Sequence, residues 1–281
     1  MTKLFVYGTL LQGLSRARML RCASFLGPAL TAGRLFDLGS YPGLVPGQGL
    51  VVGEVYAVDP PTLKRIDRVE DFDPLDSRAS LYRRQMVQAR YFSGGYENVA
   101  TYQYNRVPCA ADRISHGDYR RYRLEREYGA QPAVAYGSNL SRARIEGRIG
   151  PVGPRRTGSI PGFRLSLDKL ASTGTHVVAN LRHTGADNCP AALHYLSLAQ
   201  LQAMDRFEGT PDHYLRIALP FRQEDGSIVL AQTWIAHPDR LTAGLPAREA
   251  YLHHLNTGYQ EFGWPTDPIL QALAELPRRQ D

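Results

Sequence analysis

Phe5-Val6-Tyr7-Gly8-Thr9-Leu10 near the start of the chain and Val134-Ala135-Tyr136-Gly137-Ser138-Asn139-Leu140 near its middle are one pattern written twice. Each is an apolar strand that runs into a glycine turn followed by a hydroxyl residue. Downstream of each comes a helical pattern ending in an acidic motif, Ile66-Asp67-Arg68-Val69-Glu70 and Met204-Asp205-Arg206-Phe207-Glu208. Tyr7 to Glu70 spans 63 residues and Tyr136 to Glu208 spans 72, so order and spacing agree. After each glutamate a tyrosine opens a further strand, Tyr82 to Val87 and Tyr214 to Leu219, and a last strand follows in Val99 to Tyr104 and Ile228 to Ala236. Elements matched in one order are the signature of a duplicated unit.

The 281 residues suit two domains at roughly 100 to 200 residues each. Strands dominate both halves, with one well-marked helix each and a few shorter ones, so the expected class is α+β on a mixed or antiparallel sheet, with closure into a barrel compatible with the many short strands. No GxGxxG and no regular βαβ alternation argues for a dinucleotide fold. The boundary is expected between Asn105 and Ala133, dividing the chain into 1–130 and 131–281. Asp112 to Tyr128 reads as a basic helix with a solvated face that stops at Gly129, and Arg278 to Asp281 as a frayed tail.

Composition excludes several function classes. Apolar residues make up 43% and charged residues 21%, an ordinary soluble globular balance. The net charge of +6 is too modest and too scattered for a nucleic-acid footprint. Nothing approaches the roughly 18 uninterrupted apolar residues of a membrane span, and the N-terminus has no export signal. Cys22, Cys109 and Cys189 are odd in number and far apart, which disfavours disulfides and fits a reducing cytoplasm. There is no HExxH, P-loop or Gly-x-Ser-x-Gly elbow, and His176, His194 and His213 read as packing or surface residues, so no metal and no cofactor is expected.

The two glutamates are the chemical candidates. Ser197 to Gln200 spells a capping box, and Asp59-Pro60-Pro61 an acidic cap with proline in the first turn, so both helices have defined starts. Glu70 lies four residues after Ile66 and seven after Leu63, and Glu208 four after Met204 and seven after Leu201, which puts each carboxylate on an apolar stripe. Burial there raises a glutamate pKa toward neutrality, as a general base at pH 7 requires. The Tyr-Gly turns read as anion cradles that present successive N–H groups.

With these motifs the chain resembles the gamma-glutamylcyclotransferase-like family, and does so twice. Residues 4 to about 106, with Val6-Tyr7-Gly8-Thr9-Leu10, Gly53-Glu54-Val55-Tyr56 and Asp67-Arg68-Val69-Glu70, resemble the gamma-glutamylamine cyclotransferase branch. Residues 133 to about 265, with Ala135-Tyr136-Gly137-Ser138-Asn139-Leu140 and Asp205-Arg206-Phe207-Glu208-Gly209, resemble the gamma-glutamylcyclotransferase branch proper. The resemblance implies two tandem small mixed β-barrels with a few helices, each with the Tyr-Gly loop at one mouth and the glutamate facing it. It implies a small-molecule gamma-glutamyl substrate, release of 5-oxoproline, no metal and no organic cofactor. Carried over by position, Glu70 and Glu208 are acid/base residues; Tyr7, Gly8, Thr9 and Leu10, and Tyr136, Gly137, Ser138, Asn139 and Leu140, form substrate loops, while Tyr82 and Tyr214 are pocket candidates.

The second copy follows the family pattern more closely, which puts more weight on Glu208. In the first, the polar segment from Asp71 through Pro74-Leu75-Asp76-Ser77 reads either as a lid or specificity loop or as the mark of a copy that has drifted toward a structural role, with Asp71 raising the Glu70 pKa further if both face the pocket. Two alternatives stay open: one catalytic domain beside a substrate- or partner-binding one, and a non-enzymatic binder of acidic metabolites. The sequence leaves the leaving amine and the oligomeric state open.

Overall fold

A computed structural model describes residues 1–76, 78–127 and 129–276. Two compact units divide it, Met1–Arg123 and Leu124–Asp281. The first contains β1 (Thr2–Val6), β2 (Ser24–Asp37), β3 (Pro42–Val58), α1 (Pro60–Val69), β4 (Tyr82–Tyr91), β5 (Tyr96–Tyr104) and the two-residue β6 (Arg113–Ile114). Helix α2 (Tyr119–Glu127) runs across the division. The second unit continues with β7 (Ala130–Ala135), α3 (Arg142–Ile149), β8 (Arg156–Leu170), β9 (Val177–Ser197), α4 (Leu198–Glu208), β10 (Tyr214–Gln223), β11 (Ile228–Ala236), α5 (Glu249–Glu261) and α6 (Asp267–Ala274).

The two sheets close in the same way. In the first unit β1 pairs antiparallel with β3, β3 with β2, β2 with β4 and β4 with β5, and a parallel contact of β5 with β1 completes the ring. In the second, β7, β9, β8, β10 and β11 repeat that order, and again the one parallel pairing, β11 with β7, makes the closure. These are the small mixed barrels that the repeat implies, and the fold class is α+β.

Period-two alternation explains the packing of β1. Leu4 and Val6 share a cluster with Ile66 of α1, while Phe5 and Tyr7 join Leu44, Val55 and Val99 in another. A strand buried on both faces reads as a continuous apolar run, as Leu4-Phe5-Val6 does. The helix starts match their sequence signals. Asp59 accepts the Thr62 amide at 2.7 Å, and Ser197 and Gln200 exchange both bonds of a capping box.

The expected basic helix from Asp112 is corrected. Arg113 and Ile114 pair instead with β2, and the chain then turns at Gly117, whose φ of +70° and close approach to the Leu50 carbonyl leave no room for a Cβ. Nor is the helix face simply solvated, since Arg120 is fully buried and its Nη1 donates to Glu54 Oε1 at 2.7 Å. Tyr56 Oη and the Gln12 amide donate to the other Glu54 oxygen, both at 3.0 Å. A helical period hides this arginine among its neighbours, because only the turn at Gly117 decides which face meets β3. Tyr128, Ser77 and the tail from Arg278 lie outside the described residues.

Removing one member of a buried ion pair leaves an uncompensated charge, so Arg120→Met is expected to cost about 3–5 kcal/mol in chemical denaturation. The double variant Glu54→Leu/Arg120→Met should cost clearly less than that single one. A single-variant loss below about 1 kcal/mol would show that the pair does not anchor this segment.

Candidate functional site

Each barrel carries a small cavity at the Tyr-Gly turn. The first, of about 60 Å³, is bounded by Tyr7, Gly8, Thr9, Leu10, Glu70 and Tyr82, and in addition by Arg16, Tyr41, Pro42 and Tyr102. The second, of about 40 Å³, is bounded by Tyr136, Gly137, Ser138, Asn139, Glu208 and Tyr214, and in addition by Ala179, Trp234 and Tyr251. Leu140 is the exception among the expected loop residues. It is fully buried beneath α5, where Gly258 comes so close that a Cβ would lie 2.5 Å from that of Leu140.

The tyrosines of the motif are tied into the barrel wall. Tyr7 Oη donates to the Tyr102 carbonyl at 2.5 Å, and Tyr136 Oη to the matching Trp234 carbonyl at 2.7 Å. Tyr82 Oη donates to the Pro42 carbonyl at 2.8 Å, and Tyr214 Oη to that of Ala179. Burial pushes all four phenols up, so they stay protonated and act as donors. The glycines serve close approach: a Cβ on Gly8 would sit 2.8 Å from the Pro42 ring, and one on Gly137 3.1 Å from the Ala179 Cβ. Among the described residues no protein acceptor meets the Thr9 and Leu10 amides, which leaves two donors at the cavity.

What the sequence reading missed is the aspartate three residues before each glutamate. Asp67 accepts from Tyr102 Oη at 2.7 Å, and Arg84 Nη1 donates to both its oxygens at 2.6 and 2.8 Å. Asp205 accepts from Trp234 Nε1 at 2.9 Å and pairs with Arg216 Nη2 at 3.0 Å. In each barrel the two donors are cross-strand partners, Arg84 opposite Tyr102 and Arg216 opposite Trp234. One face of a strand pair thus grips the last turn of the helix. The recurrence of Asp-Arg before each glutamate was the available signal.

The glutamates themselves differ. Glu70 caps α1 and is half-buried, and among the described residues no hydrogen bond or ion pair reaches its carboxylate. Desolvation pushes its pKa up to about 7, opposed by the Arg16 guanidinium. Asp71 is exposed, at φ +48°, and plays no part in the rise. Glu208 accepts instead from Arg148 Nη1 at 2.7 Å and from Asn139 Nδ2 at 2.9 Å, with Arg148 also over the Phe207 ring. Arg148 comes from α3, and among the described residues of the first barrel the corresponding segment forms no α-helix. The two carboxylates thus differ in surroundings: Glu208 is ion-paired with Arg148, and Glu70 has no direct partner among the described residues.

The segment after Glu70 does not line the cavity in its described part. It bonds to itself, with Ser80 Oγ donating to Asp76 O and accepting the Asp73 amide. Among the described residues no three His, Cys, Asp or Glu side chains gather as a metal site, and no helix is long and apolar enough to cross a membrane.

The raised Glu70 pKa has a thermodynamic signature. Below the ordinary value near 4.5 the group is protonated both folded and unfolded; above about 7 it is charged in both, and the fold bears the desolvation cost in full. Glu70→Gln is therefore expected to raise stability at pH 8, by about 3 kcal/mol at most, and by progressively less as pH falls toward 4.5. Thermal melts across that range check this, and an equal effect at pH 8 and pH 4.5 would refute a desolvated carboxylate.

Comparison with known proteins agrees with the geometry. Residues 4–121 match the family described as gamma-glutamyl cyclotransferase, AIG2-like. The gamma-L-glutamyl-butirosin B gamma-glutamyl cyclotransferase of Niallia circulans is 42% identical over 134 residues, covering 47% of this chain and 83% of that protein. The gamma-glutamylcyclotransferase family protein YtfP of Escherichia coli K12 is 35% identical over 118 residues, covering 42% of this chain and 95% of that protein. Among solved structures, YkqA from Bacillus subtilis shares the fold over 98% of both chains, with a TM-score of 0.75 at 20% identity. The chain belongs to the gamma-glutamyl cyclotransferase, AIG2-like family.

Proposed function

We propose that this protein cleaves gamma-glutamyl amides to 5-oxoproline and a free amine, with Glu70 as the acid/base of the first barrel. The observation that carries this reading is an unpaired, desolvated carboxylate sharing one small cavity with the Tyr7–Leu10 loop. The substrate's α-amine is its own nucleophile. Glu70 takes a proton from the α-ammonium, the amine nitrogen bonds to the γ-carbonyl carbon, and the C–N bond to the leaving amine breaks as Glu70 passes that proton to the leaving nitrogen; Glu70 then takes the second proton from the ring nitrogen and gives it up to the freed amine, which departs as an ammonium. The enzyme's task is to fold the substrate and shuttle protons from its α-nitrogen to the leaving nitrogen, and holding an intramolecular nucleophile in line supplies about 7–11 kcal/mol. The Thr9 and Leu10 amides are placed to stabilise the tetrahedral oxyanion. The relative from Niallia circulans is named for gamma-L-glutamyl-butirosin B, which supports gamma-glutamyl compounds as the substrate class of the first barrel.

A second reading concerns the other barrel. Arg148 and Asn139 both donate to Glu208 Oε1, so this carboxylate has a cation in direct contact where Glu70, among the described residues, has none. This favours a division of labour in which the second cavity serves other ligands or binds without turnover.

Mass-spectrometric detection of 5-oxoproline after incubation with gamma-glutamylamines and gamma-glutamyl amino acids tests both readings. Glu70→Gln is expected to lower kcat for gamma-glutamylamines by about 10²- to 10⁴-fold, whereas Glu208→Gln leaves that turnover within about twofold. Loss with Glu208→Gln alone would reverse the assignment. Because the charged form is the base, kcat/KM should rise with pH through about 7, and a profile flat between pH 5 and 8 would exclude Glu70 as that base. Asp67→Asn, which weakens the grip on α1, should lower kcat by about tenfold with the same pH profile.

A further inference from the structure

We infer that Arg16 is the residue that positions the substrate's α-carboxylate in the first barrel, an inference that rests on the reading of Glu70 above. Among the described residues bounding this cavity, Arg16 and Glu70 are the two with a guanidinium or carboxyl side chain, and the rest are apolar, aromatic or hydroxyl-bearing. A gamma-glutamyl head group is a zwitterion, with an ammonium and a carboxylate on the same carbon. A cavity holding one carboxylate and one guanidinium offers a complementary partner to each.

Arg16 is placed for this by the Tyr-Gly turn. Its amide donates to the Thr9 carbonyl at 2.9 Å, closing the loop that begins at Gly8 and tethering Arg16 beside the residues that face the substrate. The side chain is half-buried, and among the described residues no carboxylate forms an ion pair with it. It nevertheless lies near enough to Glu70 to be the charge that opposes the rise of its pKa.

The second barrel shows the alternative use of arginines reached from the same direction. There the chain after the turn enters α3, which sends Arg148 onto Glu208 at 2.7 Å and Arg144 Nε onto Ser138 Oγ at 3.0 Å. In the first barrel the equivalent segment is only a short 3₁₀ turn, Ala17–Leu20, and its one cavity arginine keeps a planar, multidentate donor set free for a carboxylate.

The test pairs two substrates that differ in one group, a gamma-glutamyl anilide and the 4-aminobutyryl anilide that lacks the α-carboxylate and cyclises to 2-pyrrolidinone. Arg16→Gln is expected to raise KM for the gamma-glutamyl anilide by about 10- to 100-fold, with a smaller change in kcat and little change for the des-carboxy substrate. Arg16→Lys should recover part of the loss. Losing a cation beside Glu70 should also move the acid limb of kcat/KM to higher pH in Arg16→Gln. Equal losses on both substrates, or an unchanged KM for the gamma-glutamyl anilide, would overturn the assignment. If the wild type turns over neither anilide, the cyclotransferase reading fails on its own. Calorimetry with L-glutamine against 4-aminobutanamide then decides on Arg16: a preference for glutamine that Arg16→Gln abolishes supports it, and no preference or no binding overturns it.

Discussion

The last turn of α1 is held against the barrel by one carboxylate, and the geometry of the first cavity depends on it. Asp67 receives the Arg84 guanidinium and the Tyr102 hydroxyl from two strands that lie side by side, so the helix end is fixed in rotation as well as in position. Glu70, three residues on, lies on the neighbouring side of the same helix end and borders the cavity. The same grip recurs through Asp205, Arg216 and Trp234, although a tyrosine has become a tryptophan. The donor geometry is conserved between the repeats where the residue type is not.

On this shared frame the two cavities have taken different electrostatic characters. The first keeps a carboxylate without a direct partner and an arginine at some remove, and desolvation holds that carboxylate near the pH at which it can both accept and return a proton. The second has added α3, and with it an arginine in direct contact with the carboxylate. Desolvating an unpaired acid costs stability, whereas pairing it restores stability and ties up its lone pairs. The first barrel therefore carries a strain that a purely structural copy would have no reason to keep.

The buried pair of Glu54 and Arg120 serves a separate purpose. It joins β3 to the start of α2, and through the Gln12 amide and carbonyl it holds the middle of the loop that carries Thr9 and Arg16. A loop held at Gln12 and closed by the Arg16 amide on the Thr9 carbonyl presents its backbone amides in a defined geometry.

The sequence by itself determined the duplication, the order of the matched strands and helices, both helix starts, and that each Tyr-Gly turn has a glutamate at matching spacing in its own repeat. These follow from short-range signals: apolar periodicity, caps, and motifs repeated at matching spacing. Tertiary structure alone decided the rest. Whether Glu70 or Glu208 stands free depends on an arginine from another element, and Arg148 lies 60 residues from the carboxylate it meets. The grip of Asp67 needs the register of β4 against β5, the burial of Arg120 needs the turn at Gly117, and the removal of Leu140 from the cavity needs α5. Linear spacing reports which residues share a face of their own element. Charge partners and desolvation are set by what other elements bring against that face, and these are fixed only when the barrel closes.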